Sequence, residues 1–442
     1  MIRKTPNHSL STMACPHNLD DVDLFGDGAQ EHWYESYEIL HREAPVFRLP
    51  GEGLDAKQDG FVLSKYEDIE RVVKDPARFP PTLSLMLNQL LSQDLEPEKI
   101  PGLNTMMASM MTLRPTFELW RSHRQELTDP WVGPGASRHE AMINQHVDDL
   151  LAAWPPSSGA TANSVEFISK FARPLPQRVM ASVLGFPAED IERLALWGEA
   201  QVMPFVYGRG HKNQLNREQV AKQLELLQGF KEYVQHQLDM KRREPINDMI
   251  SFLSQVEYQA LGRKLTDIEI NGIVYAMVIG GLETTQYAIA EQAQLLCDRP
   301  GLFSELKQDR HKLRHFVEES MRLRAPTQGL STRITRQDEV FQGVPIPAGS
   351  LLHLRWAAGN IDSEAFENPH ELQLERKAVS RHLSFSAGPR VCPGAGISRL
   401  EQMIAWDHIL DQFNDISFSE NNTFLHQPGI MLGTLNLNLR FH

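Results

Sequence analysis

The chain has 442 residues, of which 41% are hydrophobic, enough for a substantial buried core in one large domain or two to three small ones. A net charge of −13 and the lack of any long Lys/Arg run exclude general nucleic-acid binding, which needs cations to neutralise phosphates. Cys15, Cys297 and Cys392 lie far apart, which argues against a disulfide framework, and a reducing, cytoplasmic setting is expected.

Met1 to Asp20 holds Arg3 and Lys4 but no apolar stretch long enough for a signal peptide or anchor helix. Pro45 to Leu49 and Gly60 to Leu63 read as a hairpin leading into a helix from Tyr66 to Asp75. The segment Pro81 to Pro115 is dense in Leu and Met, including Met86, Met106 and Met110. Adaptable thioethers there suit either ordinary core or an apolar ligand wall. Trp120-Arg121-Ser122-His123-Arg124 gathers cations, each by itself an ordinary surface group. Helical periodicity marks His139 to Trp154, Gln214 to Lys241 and Leu265 to Leu296.

Thr266 and Glu269 form a capping box that opens a helix predicted to run on to Asp298. Its apolar run Ile273 to Leu282 is too short to cross a bilayer, which takes about 20 residues. The centre, Gly280-Gly281-Leu282-Glu283-Thr284-Thr285, places two glycines in a buried helix at a cost of about 1 kcal/mol each. The pair serves either close packing or a deliberate opening, and Thr285 is expected to bond back to the helix. Glu319 and Arg322 share a helix face before Pro326. Short strands follow at Val340 to Ile346, Leu351 to Leu354 and Leu435 to Phe441. Last comes Phe385-Ser386-Ala387-Gly388-Pro389-Arg390-Val391-Cys392-Pro393-Gly394. With no second cysteine or histidine at zinc spacing, Cys392 is either a buried structural thiol or a single axial thiolate. The expected fold is mainly α with a small β-rich lobe, one domain over 1–442, the β-rich parts near 45–65, 335–360 and 425–442.

Phe385, Gly388, Arg390, Cys392 and Gly394 resemble the haem-binding loop of the cytochrome P450 family, and Arg399-Leu400-Glu401 continues the helix that follows it there. The Gly280 to Thr285 string, Glu319-x-x-Arg322 and Trp120-x-x-x-Arg124 match further motifs of that family in order, so the resemblance covers nearly the whole chain. It implies a triangular helical bundle around haem b, with Cys392 as the iron's axial thiolate. Gly280 and Gly281 would open the helix for dioxygen, while Thr284 and Glu283 would carry protons toward it. Glu319, Arg322 and Arg376 would form a buried network that holds the loop. Trp120, Arg124, Arg333, His382 and Arg390 would meet the haem propionates, with Phe385, Gly388 and Gly394 shaping the loop. The chain departs from many soluble relatives in having Trp120 and Arg390 where histidines are frequent, and Ile397-Ser398 where Leu-Ala is usual.

The implied activity is a monooxygenase that hydroxylates or epoxidises a hydrophobic small molecule. No Gly-x-Gly-x-x-Gly follows a strand, so electrons from NAD(P)H would arrive through a ferredoxin and its reductase, or a flavodoxin-type donor. Arg121, His123, Arg381 and Arg399 would offer the docking charge on a monomer with no membrane anchor. Expected pocket walls are Met86, Met106, Met110, Ala276, Ile279, Gln328, Leu330, Ile430 and Met431, with Arg114 or Arg209 as a carboxylate anchor. They suit a fatty acid, otherwise a terpenoid, steroid or aromatic compound. A hydrogen-peroxide-using peroxygenase and a non-catalytic haem sensor or carrier remain the alternatives.

Overall fold

The computed structural model describes residues 14–55, 57–82, 105–154, 163–209, 212–329 and 332–442. After helix α1 (Trp33–Glu43), strands β1 (Val46–Leu49) and β2 (Gly60–Leu63) form the expected hairpin, with Val46 opposite Leu63. All four residues of β2 are buried, as a central strand requires. It leads into α2 (Tyr66–Lys74).

Most of the remaining chain is helical. The helices that bear on the site are α3 (Thr105–Leu113), α4 (Phe117–His123), α5 (Glu140–Ala152), then, after strand β3 (Asn163–Glu166), α6 (Pro174–Leu184), α7 (Ile191–Val206) and α8 (Arg217–Arg243). There follow α9 (Asp267–Gly281), α10 (Glu283–Asp298) and α11 (His311–Leu323). Strands β4 (Thr332–Ile334), β5 (Glu339–Phe341), β6 (Val344–Ile346) and β7 (Leu351–Leu354) complete the smaller lobe. Its sheet has the order β1-β2-β7-β4, with β2 and β7 parallel, and β5 pairs with β6. Phe61, Leu63, Leu352 and Leu354 pack on Ile69, Val72 and Val73 of α2. Helix α12 (Ala395–Gln412) precedes β8 (Ile416–Phe418) and β9 (Asn438–Phe441), which join β3 in a second antiparallel sheet.

The capping box is formed: the Glu269 carboxylate accepts from the Thr266 backbone N–H at 2.8 Å, while Thr266 Oγ1 accepts from the Glu269 N–H at 3.4 Å. The predicted single long helix is instead two, because α9 ends at Gly281 and α10 begins at Glu283, with Leu282 at the break. Side-chain bonds hold α10 to α12. Gln292 donates to Gln402 at 2.6 Å and accepts from Trp406 Nε1 at 2.7 Å. Helix α3 lies against α9. Among the described residues no helix is long and apolar enough to cross a membrane.

Candidate functional site

The loop before α12 is two short 3-10 turns, Leu383–Phe385 and Gly388–Arg390, followed by Cys392. It is pinned from inside the fold. The Cys392 N–H donates to the Phe385 carbonyl at 2.8 Å, Asn360 Oδ1 accepts from the Leu383 N–H at 2.6 Å, and Ser384 Oγ donates to the Met321 carbonyl at 2.6 Å. Gly388 is required by its backbone: φ is 69° and an added Cβ would lie 3.0 Å from the Val73 carbonyl oxygen. At Gly396, which the sequence reading passed over, a Cβ would fall 2.1 Å from the Gly133 carbonyl oxygen.

Cys392 packs with Ala288, Met321, Phe385 and Ala395 at the N-terminus of α12. Burial pushes its thiol up; the N–H groups of Gly394 and Ala395 and the charges of Arg124 and Arg399 act in the opposite sense. Among the described residues a Cβ at Gly394 would reach only Ile397 Cγ2, at 4.0 Å. Cys392 and Gly394 are both only partly buried, which leaves an open face from which a flat group could approach the sulfur.

Beneath the loop the Glu-x-x-Arg pair is fully buried. Arg322 holds both Glu319 oxygens, at 2.8 and 2.7 Å, and Arg376 Nε adds a third bond at 2.8 Å. The remaining guanidinium donors go to the carbonyls of Asn360, Glu367, Asn368, Pro369 and Glu371. The network ties α11 to the segment before the cysteine loop.

Cations gather beside the loop. Arg124 and Arg390 both stack on the Trp120 ring, at 5.5 and 5.0 Å. Arg124 donates to Asp129 at 2.8 Å and to the Val391 carbonyl at 2.7 Å. Burial, and then the neighbouring charge of Arg390, push Arg333 down to about 10; burial with Arg390 and Arg124 does the same to Arg114. Arg114 Nε, Arg390 Nε and both His123 ring nitrogens are buried without a hydrogen-bond partner among the described residues. Buried like charges with orphaned donors are costly unless anions join them. Two carboxylates next to the open face of Cys392 would supply those anions, so the donor set fits a haem with its propionates.

Several expectations change here. His382 is no propionate partner: it is buried, with Nε2 on Glu318 at 3.1 Å and Nδ1 accepting from the Ser384 N–H at 3.2 Å, so both nitrogens are committed within the protein. His123 is only 2% exposed and cannot be docking charge. Arg114, expected as a substrate anchor, belongs with the cations around Arg390, and Arg209 pairs with Asp23 at 3.2 Å. Sequence offered little signal for Arg114 and His123, because only folding brings Arg390 beside Arg114 and Arg114 beside His123.

Across the α9/α10 break, Ala276, Ile279, Gly280, Gly281 and Thr284 keep exposure while most of their neighbours are buried. A Cβ at Gly280 would meet nothing within 4 Å among the described residues, whereas one at Gly281 would strike Met180 Cε at 2.4 Å. Gly280 therefore has room beside it, and Gly281 serves packing against α6. Thr284, rather than Thr285, bonds back to the helix, donating to the Gly280 carbonyl at 2.9 Å; Thr285 pairs with Ser398 of α12 at 2.9 Å. Glu283 is 7% exposed and accepts from the Tyr287 hydroxyl.

Of the expected walls, Ala276 and Ile279 line the opened stretch, and Met110 and Met106 lie on α3. Ile430 and Met431 are buried in a cluster with Val202 and Tyr287, against which Ile279 packs. Gln328 is not a wall: it is 0% exposed, accepting from the Tyr37 hydroxyl at 2.9 Å and donating to the Ala325 carbonyl at 2.9 Å. Met86 and Leu330 lie outside the described residues.

The family model described as Cytochrome P450 matches residues 107–441. The polyketide biosynthesis cytochrome P450 PksS of Bacillus subtilis is 26% identical, over 90% of this chain and 93% of its own length. The biotin biosynthesis cytochrome P450 of Bacillus subtilis is 28% identical, over 88% of this chain and 90% of its own. A crystal structure of P450BioI in complex with hexadec-9Z-enoic acid ligated acyl carrier protein superposes with a TM-score of 0.76 at 25% identity, covering 93% of this chain and 98% of that one.

Proposed function

The chain belongs to the cytochrome P450 family of monooxygenases, and from that premise we propose that it binds haem b through Cys392 and oxidises the acyl chain of a lipid-like substrate. The observation that carries the reading is the set of buried donors of Arg114, His123 and Arg390 that have no partner among the described residues, gathered with Arg124 and Trp120 at the cysteine loop. Bound there, haem would supply oxygen activation, with the thiolate donating electron density to favour cleavage of the oxygen-oxygen bond and insertion of one oxygen atom.

The chain's own residues would do the rest. Arg114, Arg124, Arg333 and Arg390, with Trp120 and His123, would hold the propionates. Phe385, Gly388 and Gly394 would shape the proximal face, and the Glu319-Arg322-Arg376 network would keep it rigid. Gly280 would leave room above the ring. Thr284 would hold a hydrogen bond there at Oγ1, and the Glu283 carboxylate would pass protons toward it through water. The apolar side chains of Ala276, Ile279 and Met110 would line the substrate's path and exclude bulk water.

Electrons would come from a separate carrier, a ferredoxin or flavodoxin-type protein reduced through NAD(P)H. Arg121 and Arg381 are exposed, and a groove of about 390 Å³ lined by Arg314, Arg399 and Gly396 runs along α11 and α12 behind the cysteine loop. Both features support docking on that side. An acyl chain is favoured among apolar substrates because of the acyl-carrier-bound fatty acid on the similar P450BioI.

The test is the absorbance difference spectrum of the dithionite-reduced protein on adding carbon monoxide, followed by a spin-state titration with hexadec-9-enoic acid. A thiolate-type Soret band and a shift to high spin are expected. A histidine-type band, or no haem, removes Cys392 as ligand; a thiolate band without a shift removes the acyl substrate.

A further inference from the structure

Tyr287 stands one helical turn beyond Glu283 on α10, and its hydroxyl donates to Glu283 Oε2 at 2.5 Å. Gln427 Nε2 in turn donates to the Tyr287 hydroxyl oxygen at 2.8 Å. The three side chains are 7%, 1% and 5% exposed for Glu283, Tyr287 and Gln427. The direction of the chain is set by chemistry. A carboxylate can only accept, so the phenol proton goes to Glu283, and the phenol oxygen is left to accept from the amide.

Gln427 is itself held in place. Its backbone N–H donates to the Gly433 carbonyl at 2.8 Å, and a Cβ on Gly433 would fall 2.8 Å from Gln427 Cδ, so a glycine there lets the amide lie where it does. The loop between these residues is anchored at both flanks, Leu432 N–H to the Pro326 carbonyl at 2.9 Å and Ile430 N–H to the Phe205 carbonyl at 3.3 Å. The Tyr287 ring packs with Val202, Ile430 and Met431, and Ile279 of the opened stretch packs against the same cluster. A phenylalanine would fill that apolar cluster equally well. The hydroxyl adds a link between the acid and the loop.

We propose that Tyr287, braced by Gln427, is the positioning residue that aims the Glu283 carboxylate and ties that aim to the C-terminal loop carrying Ile430 and Met431. The proposal rests on the reading of Glu283 as the proton-carrying acid beside Thr284. A glutamate left to itself samples several rotamers; a buried donor fixed from a second element selects one, and any shift of the Ile430 loop reaches the acid through the same two bonds.

The experiment uses the haem-loaded protein with a surrogate plant ferredoxin and its reductase, without added substrate, and measures how the electrons consumed divide between hydrogen peroxide and water. Tyr287→Phe is expected to raise the peroxide-to-water ratio by about fivefold, the factor carried by one lost hydrogen bond. In a Glu283→Gln background the same substitution is expected to change nothing further, because its effect passes through the acid. An equal rise in both backgrounds, or none in either, overturns the proposal. Should Tyr287→Phe fail to take up haem, Gln427→Leu, which leaves the ring and its packing in place, carries the same comparison. The carbon monoxide band separates the two readings: its absence from the unaltered protein overturns the haem site itself, whereas its presence with additive effects overturns only the brace.

Discussion

The Thr284 hydroxyl donates to the carbonyl of Gly280, one turn back, at 2.9 Å. The hydroxyl proton is thereby spent on the helix, and what Thr284 presents to the opened space is its oxygen lone pairs, which can accept a hydrogen bond. The same bond engages the Gly280 carbonyl beside the α9/α10 break at Leu282.

It follows that Thr284→Val, which keeps the shape, and Thr284→Ala should behave alike. Each is expected to retain the thiolate-type carbon monoxide band and to raise peroxide release by about tenfold or more, at the low end of what a lost proton-transfer group costs. Thr284→Ser should stay close to the unaltered protein. Peroxide formed per NADPH consumed is the measurement.

The Arg322 guanidinium bridges Glu319 and the carbonyls of Asn360, Pro369 and Glu371 with no exposed surface on either charged side chain. Removing one partner strands the other in low dielectric. Arg322→Leu is expected to cost about 3–5 kcal/mol and to lose haem on mild urea treatment; a denaturation midpoint equal to that of the unaltered protein would refute the assignment.

His426 sits between Glu31, at 2.9 Å, and Glu291, at 3.4 Å, and joins the C-terminal loop to α10 and to the segment before α1. Burial alone would lower its pKa, yet the charge of Glu291, with the hydrogen bond and charge of Glu31, raises it to about 9. A raised cationic group contributes stability that is fully present below its unfolded value of about 6.5 and is lost as pH climbs through 9. Denaturation free energy should therefore fall by up to about 3 kcal/mol across that window, and His426→Asn should flatten the slope while lowering stability near neutral pH.

Gly388 combines φ of 69° with the Val73 carbonyl oxygen 3.0 Å from where a Cβ would stand. Gly388→Ala must strain the loop or push α2 away, at an expected cost of about 1–3 kcal/mol. The visible consequence is conversion of part of the carbon monoxide band to the inactive, shorter-wavelength form, read directly from the difference spectrum.

Signals that lie within one helix or one loop were legible in the sequence. The Cys392 loop, the Glu319-Arg322 pair, the Thr266 capping box and the β1-β2 hairpin each hold their meaning within a few residues, because spacing along a turn fixes which groups share a face. Relations between distant segments were decided only by the tertiary structure. His382 was spent on Glu318, 64 residues away, and Gln328 on Tyr37, 291 residues away. Beside the break at Leu282 it is Thr284, not Thr285, that bonds back to the helix, while Thr285 is spent on Ser398, 113 residues away. Arg114 joins Arg390, and Tyr287 meets Gln427, for the same physical reason: a buried polar group takes whichever partner the packing of distant helices brings within hydrogen-bond reach, and no local pattern encodes that distance.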